Sequence, residues 1–283
     1  DRLKWLTGFT GSAGAAIVLP DAAAIFVDGR YTLQVKAQVD DKLFAAFEFP
    51  EPGVAGYLKE HAPANIAIGY DPRLHSPDAL ARLKEAALAK NIALKPVLEN
   101  PIDRAWVGRP AAPMAKVFAH PETFSGESGA AKRKRIGEAV AESGASAVVL
   151  TSPASLAWLF NIRGGDVKAT PLPLGAAILG ADGSAELFLA PEKVDSALKQ
   201  FLGNEVVVRA PEELEARLRG LKGRAVSVDP ALASAWFFDT LTAAGVEIVR
   251  AQDPVTLPRA CKNAVEIEGA RRAHARDGAA LSR

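Results

Sequence analysis

Apolar and polar positions along this chain switch between a period of two and a period near 3.6, and the switching runs through two cycles. In the first cycle, Gly8, Gly11 and Gly14 punctuate a turn that leads into the apolar run Ala15 to Leu19. Pro20-Asp21 supplies a tight turn and Ala23 to Val27 a return strand, which predicts a hairpin. Asp28 is placed to cap a helix carrying Tyr31, Val35 and Val39 on one face. Ile66 to Tyr70 reads as a strand ended by Asp71-Pro72, Ser76-Pro77 opens a helix to about Lys90, and Ile92 to Leu94 begins another strand.

The second cycle starts near Ala130 with a helix to Ser143, a stop at Gly144 and the β-rich run Ala147 to Leu150. A second hairpin is predicted from Gly175 to Leu179 and Ala185 to Leu189, joined through Asp182-Gly183. Three landmarks recur in the same order. Trp5-Leu6-Thr7-Gly8 parallels Trp158-Leu159-Phe160-Asn161, the hairpins repeat with Phe26 against Phe188, and strands ending in Asp71-Pro72 and Asp229-Pro230 repeat. Two α/β domains descended from one unit are expected. Ahead of Trp158 the second copy has a helix and a strand for which the first copy has no counterpart, so the first is expected to lack about 30 residues at its front. Prolines 96, 101, 110 and 113 together with Trp106 suit a semi-rigid linker, and Arg259 to Ser282 reads as a charged helix.

Composition narrows the function classes. The 283 residues are 49% hydrophobic and 24% charged, which suits a globular chain with two cores. Thirty-four basic residues against 33 acidic ones leave a formal charge of +1, so no global field draws in nucleic acid or anionic lipid. Cys261 is the single cysteine, which excludes an intrachain disulfide and points to a reducing, cytoplasmic location. No apolar run approaches the roughly 20 residues of a membrane span.

The longer motifs point further. Trp5-Leu6-Thr7-Gly8-Phe9-Thr10-Gly11-Ser12-Ala13-Gly14 and Val27-Asp28-Gly29-Arg30-Tyr31 resemble the first domain of cytosolic Xaa-Pro aminopeptidases. Trp158-Leu159-Phe160-Asn161-Ile162-Arg163-Gly164 is similar to the family's second-domain motif, and Lys262-Asn263 through Ala280 resembles the start of its catalytic domain. The resemblance implies two tandem creatinase-like, ribonuclease H-like α/β domains, each a mixed sheet flanked by helices. Residues 1–112 would form the first domain with its linker and 113–257 the second. Residues 258–283 would begin the first helix of a pita-bread catalytic domain that lies outside this sequence. That domain carries two divalent metal ions, manganese by family habit, on two Asp, two Glu and one His, and the metals activate a water that attacks the carbonyl before proline. The implied function is that of a non-catalytic N-terminal region that shapes substrate access and dimer contacts, inactive alone. Partners would be Xaa-Pro peptides and a second copy, with no nucleic acid and no membrane. An alternative parent is a non-enzymatic pita-bread protein that binds peptides or histones; a creatinase or prolidase parent shares the architecture.

Within the chain no catalytic and no metal-ligating residue is expected, and Arg30 is the candidate substrate-binding residue. A guanidinium after a glycine at a strand-to-helix junction offers a planar fork for a peptide carbonyl or carboxylate. Read from its neighbours alone, Arg30 is more simply an arginine paired with Asp28; the resemblance reverses that order. Glycines 8, 11 and 14 precede a strand rather than a helix, so they form no phosphate loop. Ser12 lacks the glycine spacing of a nucleophile elbow. His61, His75, His120 and His274 form no ligand pair and are expected at solvated surface, as is the run Lys132-Arg133-Lys134-Arg135. Asp166 is expected in turn chemistry, and tryptophans 5, 106, 158 and 236 as core or interdomain anchors.

Overall fold

In the computed structural model, which describes residues 2–49 and 51–283, the first hairpin forms where the alternation places it. Helix α1 (Arg2–Thr7) leads into β1 (Gly14–Val18), which pairs antiparallel with β2 (Ala23–Val27). After α2 (Thr32–Gln38), strand β3 (Ala45–Glu48) pairs parallel with β2. Helix α3 (Gly53–His61), strand β4 (Ala67–Tyr70), helix α4 (Pro77–Leu88), strand β5 (Ala93–Pro96) and α5 (Pro101–Ala105) complete this unit, which spans Asp1–Ala111. Strands β4 and β5 form their own parallel pair. Alternate side chains of β2 leave on opposite faces. Ala24 and Phe26 pack with Tyr57, Leu58, Ala86 and Ala87 beneath α3 and α4, whereas Ile25 and Val27 pack with Phe9, Val35, Val39 and Phe44. The stretch read as a linker holds α5, started by Asn100, whose side chain accepts the Ile102 N–H at 3.1 Å, and Trp106 stacks on Trp5 at 5.6 Å.

The second unit spans Ala112–Arg283. It opens with β6 (Phe118–Ala119), α6 (Glu122–Ser125) and α7 (Gly129–Glu142), followed by β7 (Ala147–Leu150), α8 (Pro153–Leu159) and β8 (Ile162–Arg163). The hairpin β9 (Ala176–Gly180) and β10 (Ala185–Phe188) leads to α9 (Ser196–Leu202), β11 (Val206–Arg209) and α10 (Leu214–Arg219). Then come β12 (Ala225–Val228), α11 (Ala235–Ala243), β13 (Glu247–Arg250), α12 (Thr256–Ala260) and α13 (Ala264–Leu281). Six strands make one mixed sheet in the order β11-β10-β9-β7-β12-β13. Strand β7 is its centre, antiparallel to β9 and parallel to β12, and all four of its residues are buried. An uninterrupted apolar strand is what a sheet covered on both faces requires. Val148 and Leu150 join Leu156, Leu179 and Leu187 on one side; Ala147 and Val149 join Phe188, Val226, Trp236 and Leu241 on the other.

The duplication read from the sequence is present in the topology. Strands β1, β2, β3, β4 and β5 repeat the pairings of β9, β10, β11, β12 and β13, with the same parallel and antiparallel senses. Two expectations about polar groups fail. Lys132 and Arg133 of the basic run are not solvated: they are 1% and 3% exposed, because α7 turns that face onto the hairpin turn and the end of α8. His75 and His120 are half-buried rather than fully solvated, and burial lowers the pKa of both below the ordinary histidine value.

Candidate functional site

Arg30 lies in a single 3-10 turn, Gly29–Tyr31, between β2 and α2. Asp28 starts the turn: its carboxylate accepts the Arg30 backbone N–H at 3.0 Å, which satisfies an orphan donor of the turn. The same carboxylate accepts from the side chain of Arg30, Nε at 3.0 and 3.1 Å and Nη2 at 2.5 Å. This ion pair raises the arginine further above its ordinary value and holds Asp28 below the usual carboxylate range. The Arg30 side chain is 69% exposed, and its Nη1 has no partner among the described residues. The guanidinium carbon sits 5.2 Å from the Tyr31 ring centroid, which restrains the fork without covering it.

Around Arg30 the glycine-punctuated turn delivers further polar groups. Ser12 Oγ and the Tyr31 hydroxyl are 2.6 Å apart, and this bond, followed by the nearby Arg30 charge, lowers the phenol below its ordinary value. Phe9 meets the Tyr31 ring edge-on at 5.5 Å, fixing its plane. Thr10, Gln34 and Gln38 form a small amide and hydroxyl cluster, with Gln38 Oε1 accepting the Thr10 N–H at 2.9 Å. The approach is possible because Gly8 takes a φ of +80°, where a Cβ would come within 2.9 Å of Gln38 O. Sequence reasoning had Arg30 and Asp28 together but missed Ser12 and Tyr31 as partners; their nineteen-residue separation shows no periodic signal.

In the second unit the Trp-Leu-Phe-Asn-Ile-Arg-Gly motif closes α8 and opens β8. Lys132 Nζ donates to Trp158 O at 3.2 Å and to Asn161 Oδ1 at 2.8 Å, and lies 4.2 Å from the Trp158 ring centroid. Burial lowers its pKa, against the charges of Glu266 and Glu127. Asn161 takes a φ of +50° and its Nδ2 donates to Glu127 O at 2.8 Å. Arg163 Nη1 is engaged by Ala157 O at 3.1 Å and Ile162 O at 2.9 Å, so it closes its own helix end. Asp166 exceeds turn chemistry: it accepts the Leu174 N–H at 2.8 Å, but its side chain is fully buried against Lys193 Nζ at 2.7 Å. A cavity of about 380 Å³ opens at the start of α7, lined by Ser128, Gly129, Phe160, Leu202 and Glu205, with Arg133 engaged by Gly183 O and Glu205.

Among the described residues no group of three or more His, Cys, Asp or Glu side chains is placed to hold a metal ion, so these residues do not fit a dinuclear centre. No helix among them is long and apolar enough to cross a membrane.

The repeated strand pairings define a chain of duplicated α/β domains. Two family models, each described as the Creatinase/Prolidase N-terminal domain, match residues 1–103 and 108–266, and the chain belongs to that family. The probable Xaa-Pro aminopeptidase P of Coprinopsis cinerea is 33% identical over 302 aligned residues, which cover 100% of this chain and 48% of that protein. That of Coccidioides posadasii strain RMSCC 757 is 32% identical over 292, covering 99% and 48%. The chain therefore spans about half the length of these relatives. The crystal structure of the Caenorhabditis elegans X-prolyl aminopeptidase, described as a cytosolic enzyme with a di-nuclear active site, matches with a TM-score of 0.90. It is 24% identical, covers 99% of this chain and 47% of that one, and shows that the fold is shared.

Proposed function

We propose that this chain is the non-catalytic N-terminal region of a dinuclear metal-dependent Xaa-Pro aminopeptidase, whose longer form hydrolyses the bond between an N-terminal residue and proline. The observation that carries this reading is the correspondence of the whole chain to half of the Xaa-Pro aminopeptidase P relatives, across both duplicated units. Residues 1–112 and 113–257 act as the two creatinase-like domains and residues 258–283 lead toward the catalytic domain. That domain supplies the two metal ions, manganese in this reading, and the longer protein works as a cytoplasmic homodimer.

Arg30 is the residue of this chain that meets the substrate. Asp28 holds Nε and Nη2, which leaves Nη1 directed to a peptide carbonyl or carboxylate, and the Ser12–Tyr31 hydroxyl pair provides a second polar contact beside it. A hydrogen bond to a charged group contributes about 1.5–3 kcal/mol, so Arg30→Ala in the longer protein lowers kcat/KM for Xaa-Pro peptides by roughly tenfold to a hundredfold. The melting transition stays in place, because Arg30 is exposed. Unchanged kinetics, or a collapsed melting transition, would overturn the assignment. Manganese-dependent cleavage by residues 1–283 alone would overturn the non-catalytic reading.

A further inference from the structure

Among the described residues, Lys132, Arg133 and Lys193 are the buried basic side chains, and the two lysines have their partners close by. Lys132 donates to two oxygens beside the Trp158 ring, and Lys193 meets the fully buried Asp166 at 2.7 Å. Arg133 is the exception. Its side chain is 4% exposed, yet the carboxylate paired with it, Glu205, is 72% exposed and stands 3.3 Å away. A charge-assisted bond is ordinarily about 2.7–2.9 Å. Nε donates to Gly183 O, also at 3.3 Å, and Nη1 has no acceptor among the described residues. Burial lowers the arginine pKa below its ordinary value, with Glu205 alone opposing it. Arg133 lines the cavity of about 380 Å³ at the start of α7, and its Nη1 is 3.5 Å from where a Cβ on Gly129, another lining residue, would stand. The unengaged donor therefore sits over the first turn of the helix. There the backbone N–H groups of Gly129 and Ala130 also have no acceptor among the described residues, since Ser128 takes those of Ala131 and Lys132. Phe160, Phe201 and Leu202 give the same cavity an apolar wall.

We infer that this cavity binds a small monocarboxylate with an apolar body, which takes the place of Glu205 on the Arg133 guanidinium. The buried arginine and the start of a 14-residue helix select negative charge. A single charge fits best, because Glu122 and Glu205 also line the cavity and repel a dianion more strongly. A carboxylate is the group the guanidinium already holds, so the exchange replaces one planar acceptor by another. The apolar body is buried against Phe160, Phe201 and Leu202. Displacing Glu205 costs little, since a pair with one partner largely in solvent is weak, whereas a ligand inside the cavity also reaches Nη1 and the α7 amides. The binding does not depend on the role of Arg30, because every residue of the site belongs to the second unit.

The test titrates 4-methylpentanoate into the complete chain and follows backbone amide shifts by NMR. 4-Methylpentanamide, which lacks the charge, and inorganic phosphate, which lacks the apolar body, are the comparison probes. Saturable shifts are expected at Gly129 and Ala130 with a Kd on the order of millimolar, and none with the amide. Glu205→Gln removes the competing carboxylate and tightens binding by about tenfold, whereas Gly129→Ala sets a methyl against Nη1 and weakens it by about tenfold. Both variants keep the wild-type melting transition, because Glu205 is exposed and a Cβ at Gly129 makes only ordinary contacts. Arg133→Met abolishes binding; where it does not fold, the other two variants decide. The inference is overturned by the absence of saturable shifts at these amides, by binding that either variant leaves unchanged, or by equal binding of the amide or of phosphate.

Discussion

Replacing Lys132 with methionine tests the physical reading of the second unit directly. The lysine is buried, so two opposing terms have to be compared. Methionine leaves Trp158 O and Asn161 Oδ1 without their donor, each costing about 1–3 kcal/mol, and removes a cation held 4.2 Å from an indole ring, which contributes about 2 kcal/mol when desolvated. Against this, an ammonium no longer has to leave water, which returns several kcal/mol. A net loss of about 2 kcal/mol follows. The sign of its pH dependence is also fixed. Burial lowers the lysine pKa, so below the native value both states are protonated, and between the native value and the ordinary value of 10.5 the unfolded chain binds the proton and the folded chain does not. Wild-type stability therefore rises with pH across that window relative to Lys132→Met, and the deficit of the variant grows. Urea unfolding followed by hydrogen exchange in α7 and α8 measures both quantities, and Asn161→Ala completes a double-mutant cycle with an expected coupling of about 1 kcal/mol or more. A variant as stable as wild type, or a coupling near zero, would refute the reasoning.

Two further perturbations address buried carboxylates. Lys193→Met strands Asp166, whose Oδ1 already lacks a hydrogen-bond partner, and is expected to cost about 3–5 kcal/mol in urea unfolding followed by Trp236 fluorescence; adding Asp166→Leu recovers most of it. Asp253 is raised by burial, opposed by the Ser155 hydroxyl at 2.6 Å and the Val255 N–H at 2.8 Å. Its native value lies above 3.8, so the cost of the buried charge is absent at low pH and fully present once pH passes the native value. Unfolding free energies between pH 3 and 8 are therefore expected to shift in favour of Asp253→Asn as pH rises, and a flat difference would show that the carboxylate is not penalised.

The hairpins, the Ser76 cap, the Gly144 stop and the β7 run were legible because each rests on local chemistry: turn residues, an N-cap side chain, a left-handed glycine and strand alternation. Strand β3 and helix α3 were not, because Ala45 to Glu48 is mostly exposed and short, and α3 starts at Gly53 without a capping side chain. The burial of Lys132 was hidden for a different reason. Its acceptors are a backbone carbonyl and an amide 26 and 29 residues away, supplied only when α7 docks on α8. A basic run read one residue at a time carries no record of that docking. Arg30 was visible as a motif, and its pairing with Asp28, two residues earlier, is local enough to be read directly.

The two copies also act as a control on each other. After the second hairpin strand each unit makes one 3-10 turn, Gly29–Tyr31 in the first and Pro191–Lys193 in the second. The fold therefore requires a turn there but not a particular polar group. In the second unit the turn directs Lys193 inward to the buried Asp166, an arrangement that holds structure. In the first, the preceding place of the turn, exposed in both units and held by Glu192 in the second, carries Arg30, restrained by Asp28 and Tyr31. The helix ends diverge in parallel: Asn161 takes a left-handed φ and receives Lys132, while Gly8 takes the same hand and lets Gln38 and Thr10 close together. An exposed surface ion pair contributes little to stability. That the second unit carries Glu192 rather than an arginine at this place of the turn is consistent with the proposed contact of Arg30 with substrate.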